Sequence, residues 1–134
     1  MKILPYLFLL SLLTACGPSV QEKKAAVDTA FADYQKLPAD SSAQKLLTTL
    51  ADYASSKASI EDKNITADTV LKFIAKNMFN DSTFRLNEPR AKLYIDAVEA
   101  AVKAEPALAK APEYIHHAAE TARTLRDIPK AIEL

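Results

Sequence analysis

The chain has 134 residues, with 17 basic and 17 acidic side chains and a formal net charge of zero. That balance excludes the strongly basic character of nucleic-acid binders, so no nucleic-acid partner is expected, and no basic run marks a patch for anionic lipid. The single glycine is Gly17; tight β-hairpins depend on residues with φ > 0, and Ala, Leu, Lys and Glu favour helix, so the fold is expected to be all-α.

Residues 1–15 stand apart. Lys2 is followed by an apolar run from Ile3 to Leu13 and then by Thr14-Ala15-Cys16. The run is shorter than the roughly 20 apolar residues that a membrane span needs. A charged start, an apolar core and a small-residue cleavage site make a secretory signal. Leu13-Thr14-Ala15-Cys16 resembles a bacterial lipobox, and the family it points to is the Bacteroidetes-type outer-membrane lipoprotein. In that family the cysteine carries a diacylglyceryl thioether, cleavage precedes it, and the new N-terminus is acylated. The resemblance makes Cys16 the lipidation site and its acyl chains the membrane contact. Gly17, in place of an Asp that tends to retain such proteins at the inner membrane, leans towards the outer membrane. The following Pro18-Ser19-Val20-Gln21-Glu22-Lys23-Lys24 lacks the acidic cluster of surface-displayed members, so the periplasmic face is expected. The alternative is an ordinary secretory signal with a chance cysteine. Residues 16–22 are expected to be a tether. Removing residues 1–15 takes away one charge, Lys2, and leaves a net charge of −1. Cys16 is the only cysteine, so no intrachain disulfide can form and packing must stabilise one small domain.

Residues 23–106 read as a helical region, either degenerate repeats or a helical cap. The first helix runs from Val20 to about Leu37, with Val27, Ala30, Phe31 and Tyr34 as its apolar stripe, and Pro38 closes it. Ser41 and Gln44 have the form of a capping box for the second helix. Its stripe is Ala43, Leu46, Leu47, Leu50, Ala51 and Ala54. Ser59 to Asn64 reads as loop or one helical turn, and Thr66 is expected to cap the third helix, which runs to about Phe79. Val70, Leu71, Phe73, Ile74, Met78 and Phe79 cover a wide arc, which predicts the most buried helix. Asn87 caps a fourth helix with Pro89 in its first turn. Ala91, Tyr94, Ile95, Val98, Ala101 and Val102 follow the helical period until Pro106, and residues 107–111 make a short connector.

Ile115, Ala118, Ala119, Ala122 and Leu125 recur at i, i+3, i+4, i+7 and i+10, one face of a fifth helix. Arg126-Asp127-Ile128-Pro129 interrupts that face, and Lys130 to Leu134 restarts a helix. This hairpin, within residues 107–134, resembles a tetratricopeptide repeat, a helix–turn–helix unit of about 34 residues. Ile115 falls at the family's first large apolar position, Ala118 and Ala119 at its Leu-Gly pair, and Ala131 at the small residue of its second helix. Ala122 stands where the family has Tyr, Arg126 where it has Gly, and there is no Trp. The resemblance implies an α-solenoid of antiparallel hairpins. The family's second helix would need about ten more residues, so the chain is expected to be truncated at Leu134.

Enzyme chemistry is not expected, because Gly-flanked Ser, a free Cys and a phosphate-cradling Gly loop are all missing from the sequence. Adjacent His116 and His117 point about 100° apart on a helix, whereas zinc helices space histidines at i, i+4, so no metal and no cofactor is expected. The repeat resemblance places Glu113, His116, Glu120, Arg123 and Thr124 on a concave, partner-binding groove. The expected function is a lipid-anchored protein–protein interaction scaffold of the bacterial envelope, with an envelope protein or peptide as partner. The second reading is a substrate-binding lipoprotein that takes a glycan or peptide; the lack of Trp counts against it.

Overall fold

A computed structural model describes residues 17–79, 82–83, 85–110, 117–118 and 120–121. The described residues form α1 (Val20–Lys36), α2 (Asp40–Ala54), α3 (Ile60–Lys76) and α4 (Glu88–Ala104), followed by a 3-10 turn at Pro106–Lys110. They contain no strand, only an isolated antiparallel bridge between Phe79 and Leu86. The fold is all-α. The fifth helix and the repeat turn lie mostly outside the described residues, although His117, Ala118, Glu120 and Thr121 are helical.

Each helix begins where a local side chain satisfies a free backbone N–H. At α1 the Ser19 hydroxyl accepts from the Glu22 N–H at 3.2 Å, and the Ser19 N–H donates to the Glu22 carboxylate at 2.6 Å. This reciprocal cap starts the helix at Val20, so Val20 to Glu22 of the tether expected over residues 16–22 are helical. The hydrogen bond from the Ser19 backbone holds the Glu22 carboxyl below its ordinary value.

The expected cap of α2 and the expected start of α3 are corrected. At α2 the N-cap residue is Ala39, and Ser42 serves it. The Ser42 hydroxyl accepts from the Ala39 N–H at 3.0 Å and donates to the Leu37 carbonyl at 2.6 Å. Ser41 and Gln44 form no capping box because the helix already begins at Asp40. At α3 the cap is Ser59, whose hydroxyl accepts from the Asp62 N–H at 3.1 Å. Thr66 is therefore interior and buried, with its hydroxyl donating to the Asp62 carbonyl at 2.9 Å. At α4 Asn87 caps as expected, accepting from the Arg90 N–H at 3.1 Å, with Pro89 in the first turn.

The helices run up, down, up and down. α2 packs on α1 and α4, α4 packs on α3, and the α2–α3 contact is slight. Phe31 of α1 and Phe73 of α3 meet edge to face, with ring centroids 5.3 Å apart. Val27, Leu46, Leu50, Val70, Leu71, Ile74, Tyr94 and Val98 are the largest fully buried side chains, so all four helices feed one core. Burial pushes the Tyr94 phenol up to about 12.

The most buried helix is α4, which corrects the expectation for α3. α4 buries seven apolar residues and touches α2, α3 and the 3-10 turn, whereas the six buried residues of α3 include Lys63 and Thr66. The wide apolar arc misleads because α3 stops at Lys76, and Phe79, beyond its end, is 52% exposed.

Lys63 near the start of α3 is bridged to Glu105 at the end of α4 by a 2.9 Å hydrogen-bonded ion pair. The Lys63 side chain is only 6% exposed, while Glu105 retains 27%. The Lys63 hydrogen bond, aided by the Ala107 N–H, lowers the Glu105 carboxyl from its ordinary 4.5. A lowered carboxyl contributes stability above its unfolded value and loses it as pH falls through the folded value. Acidification from about pH 5 to about pH 3 is therefore expected to lower the melting temperature of the native protein. Glu105→Gln is expected to start lower and to flatten that acid limb. Thermal unfolding followed by circular dichroism at several pH values checks this; parallel acid limbs would refute it.

Candidate functional site

Two ends of the bundle carry side chains available for function. The first end adjoins the expected lipidation site. Cys16 lies outside the described residues, but Gly17, Pro18 and Ser19 next to it are exposed. Ser19 fixes the entry of the chain into α1. The α2–α3 connection folds back beside them. Ser55, Ser56 and Lys57 share a shallow depression of about 470 Å³ with Gly17, Pro18 and Ser19. Lys23 spans from α1 to Asp52 near the end of α2, at 2.8 Å, and closes this end. The next residues of the connection carry Ile60, 43% exposed, at the first position of α3.

The opposite end is built by the α1–α2 and α3–α4 connections. The Met78 carbonyl accepts from the Asn87 N–H at 2.6 Å, and the Phe79–Leu86 bridge closes the longer one. Arg90 donates to the Asn77 carbonyl at 2.9 Å and stands beside the Tyr34 hydroxyl. Burial raises the Tyr34 phenol, and the Arg90 charge partly offsets that rise. A groove of about 210 Å³ runs over Tyr34, Asp40, Arg90 and Leu93. It holds both charge signs and two helix starts, a recess that fits a polar side chain better than an apolar ligand. Leu37 projects from this end, 69% exposed.

Of the five residues expected in a partner groove, Glu113, His116, Arg123 and Thr124 lie outside the described residues. Glu120 is helical and exposed. Ala118 and Thr121 on the same helical run are buried, and the Thr121 hydroxyl donates to the His117 carbonyl at 2.7 Å. Ala118 thus faces the core, and Glu120 faces away from it.

Among the described residues no three His, Cys, Asp or Glu side chains stand close enough to hold a metal ion. No described helix is long and apolar enough to cross a membrane. The Tyr34–Arg90 recess and the Ser55–Ile60 segment were not singled out by sequence reasoning. Both depend on residues brought together from distant helices, and neither carries a local motif. Comparison with protein-family models, with curated proteins and with solved structures finds no match to this chain.

Proposed function

We propose that the chain is a lipid-anchored, non-enzymatic interaction module of the bacterial envelope, held at the periplasmic face of the outer membrane through acyl chains on Cys16. The observation that carries this reading is the junction itself. An apolar leader ends in Leu13-Thr14-Ala15-Cys16, and a capped helix begins only four residues later at Val20. Among the described residues the buried core begins at Val27, beyond that junction, which supports a modified cysteine there.

The repeat part of the reading is supported by the hairpins. α1–α2 and α3–α4 are successive helical hairpins, and they stack through α2 and α4. Stacked hairpins are how helical repeats bury a face that one unit cannot bury alone. In this reading the helix after Pro112 adds the next layer. Glu113, His116, Glu120, Arg123 and Thr124 then line the surface for a protein or peptide partner.

The test is crosslinking in intact cells followed by affinity capture of the full chain. The Glu120→Ala plus Arg123→Ala double variant is expected to lose a partner that the native chain retains, with its own membrane level unchanged. Identical partners from both would overturn the groove assignment.

A further inference from the structure

The short junction has a geometric consequence for how the domain sits on a membrane. Three residues separate Cys16 from Val20. An extended chain covers about 3.5 Å per residue, so α1 begins within about 14 Å of the lipidated cysteine. Such a tether leaves the bundle no room to tumble clear of the lipid headgroups.

We propose that the bundle stands end-on against the phospholipid headgroup layer, with the segment from Ser55 to Ile60 as its membrane-contact surface. This rests on the lipid-anchor reading above. Three observations select that segment. Its first three residues, Ser55 to Lys57, share one depression with Gly17, Pro18 and Ser19. It presents an exposed Lys57, for which no ion pair with another described residue is found. It ends in Ile60, an exposed apolar side chain at the tip of α3. A cation beside an exposed apolar residue suits the boundary where phosphate groups meet acyl chains. The acidic neighbours do not overturn this. Asp62 accepts from the Ser59 hydroxyl at 2.7 Å, Asp52 is paired with Lys23, and Glu61 alone among these three has no partner identified. Lys23 and Lys57 stand against Glu22, Asp52, Glu61 and Asp62 at this end, so charge does not drive binding; the tether supplies the binding and this surface supplies the orientation.

The up-down topology then places the other end away from the lipid. The 17 residues of α1 rise 1.5 Å each, about 25 Å in all. Leu37 and the Tyr34–Arg90 recess are held out at that height.

The test uses the full acylated chain in vesicles of phosphatidylethanolamine and phosphatidylglycerol. Acylation consumes the only native thiol, so Lys57→Cys and Leu37→Cys each give a single site for a fluorophore. A short-range nitroxide quencher is carried on the lipid headgroups. The fluorophore at position 57 is expected to lose most of its emission, and the one at position 37 to keep it. Equal quenching at the two positions, with both proteins floating with the vesicles, overturns the end-on orientation while leaving the anchor standing. A chain that does not float and takes up a second label at Cys16 overturns the anchor and this inference with it.

Discussion

Cys16→Ala is expected to move the protein from the membrane to the aqueous phase and to abolish incorporation of a labelled fatty acid. On the proposed reading the effect is large, because an acyl anchor acts through many methylenes. Each buried CH₂ contributes about 0.8 kcal/mol, and two or three acyl chains together hold essentially permanently where one alone is marginal. No described helix is long and apolar enough to cross a bilayer. Detergent phase partitioning and intact mass read the result together. The native protein should partition into detergent with a mass that begins at Cys16 and includes the acyl chains. An unmodified native mass, or a variant that still takes up fatty acid, would remove the lipoprotein reading. The fold should be unaffected, because the first helix is capped by Ser19 and its buried residues begin at Val27. Unchanged circular dichroism and melting temperature in the variant would separate release from unfolding.

The helical part of the fold was legible because its cores are periodic and its stops are punctuated. Val27, Ala30 and Tyr34 recur on one face of α1, and all three are buried. Asn87 and Pro89 announce α4 with a cap and a preorganised first turn. The start of α3 was hidden for a physical reason. Glu61-Asp62-Lys63-Asn64 looks like solvated loop, yet Glu61 and Asp62 sit in the first turn, where the helix dipole favours acidic side chains. Lys63 is buried because Glu105, 42 residues away, reaches it, and no local pattern encodes that meeting. Thr66 and Ile65 invert the usual polarity: Thr66 is buried and Ile65 is 58% exposed. The Thr66 hydroxyl is satisfied by its own helix at the Asp62 carbonyl, which lowers the cost of burying it. Much the same holds for the functional ends. A leader and its cysteine form a contiguous pattern that a sequence can suggest, whereas the surface beside Gly17 exists only once α2 has returned down the bundle.

Leu46→Ala is expected to give the largest loss of stability of any substitution considered. Leu46 is fully buried on α2, and α2 is the helix through which the α1–α2 hairpin meets α4. Its side chain therefore packs where both neighbours depend on it. Truncating a buried leucine removes transfer free energy and leaves a cavity, at a cost of about 2–5 kcal/mol. Small domains have only about 5–15 kcal/mol of net stability, and this one has no disulfide to limit its unfolded state. At about 4–8 °C per kcal/mol for a domain near 100 residues, the melting temperature should fall by roughly 10 °C or more. Leu37→Ala provides the comparison. That leucine is 69% exposed, at the turn between α1 and α2, and its loss should change the melting temperature little. Thermal and urea unfolding of both variants decides the matter. A Leu46→Ala protein as stable as the Leu37→Ala protein would mean that α2 does not join the α1–α2 hairpin to α4. The stacking of the two hairpins, on which the repeat reading leans, would fall with it.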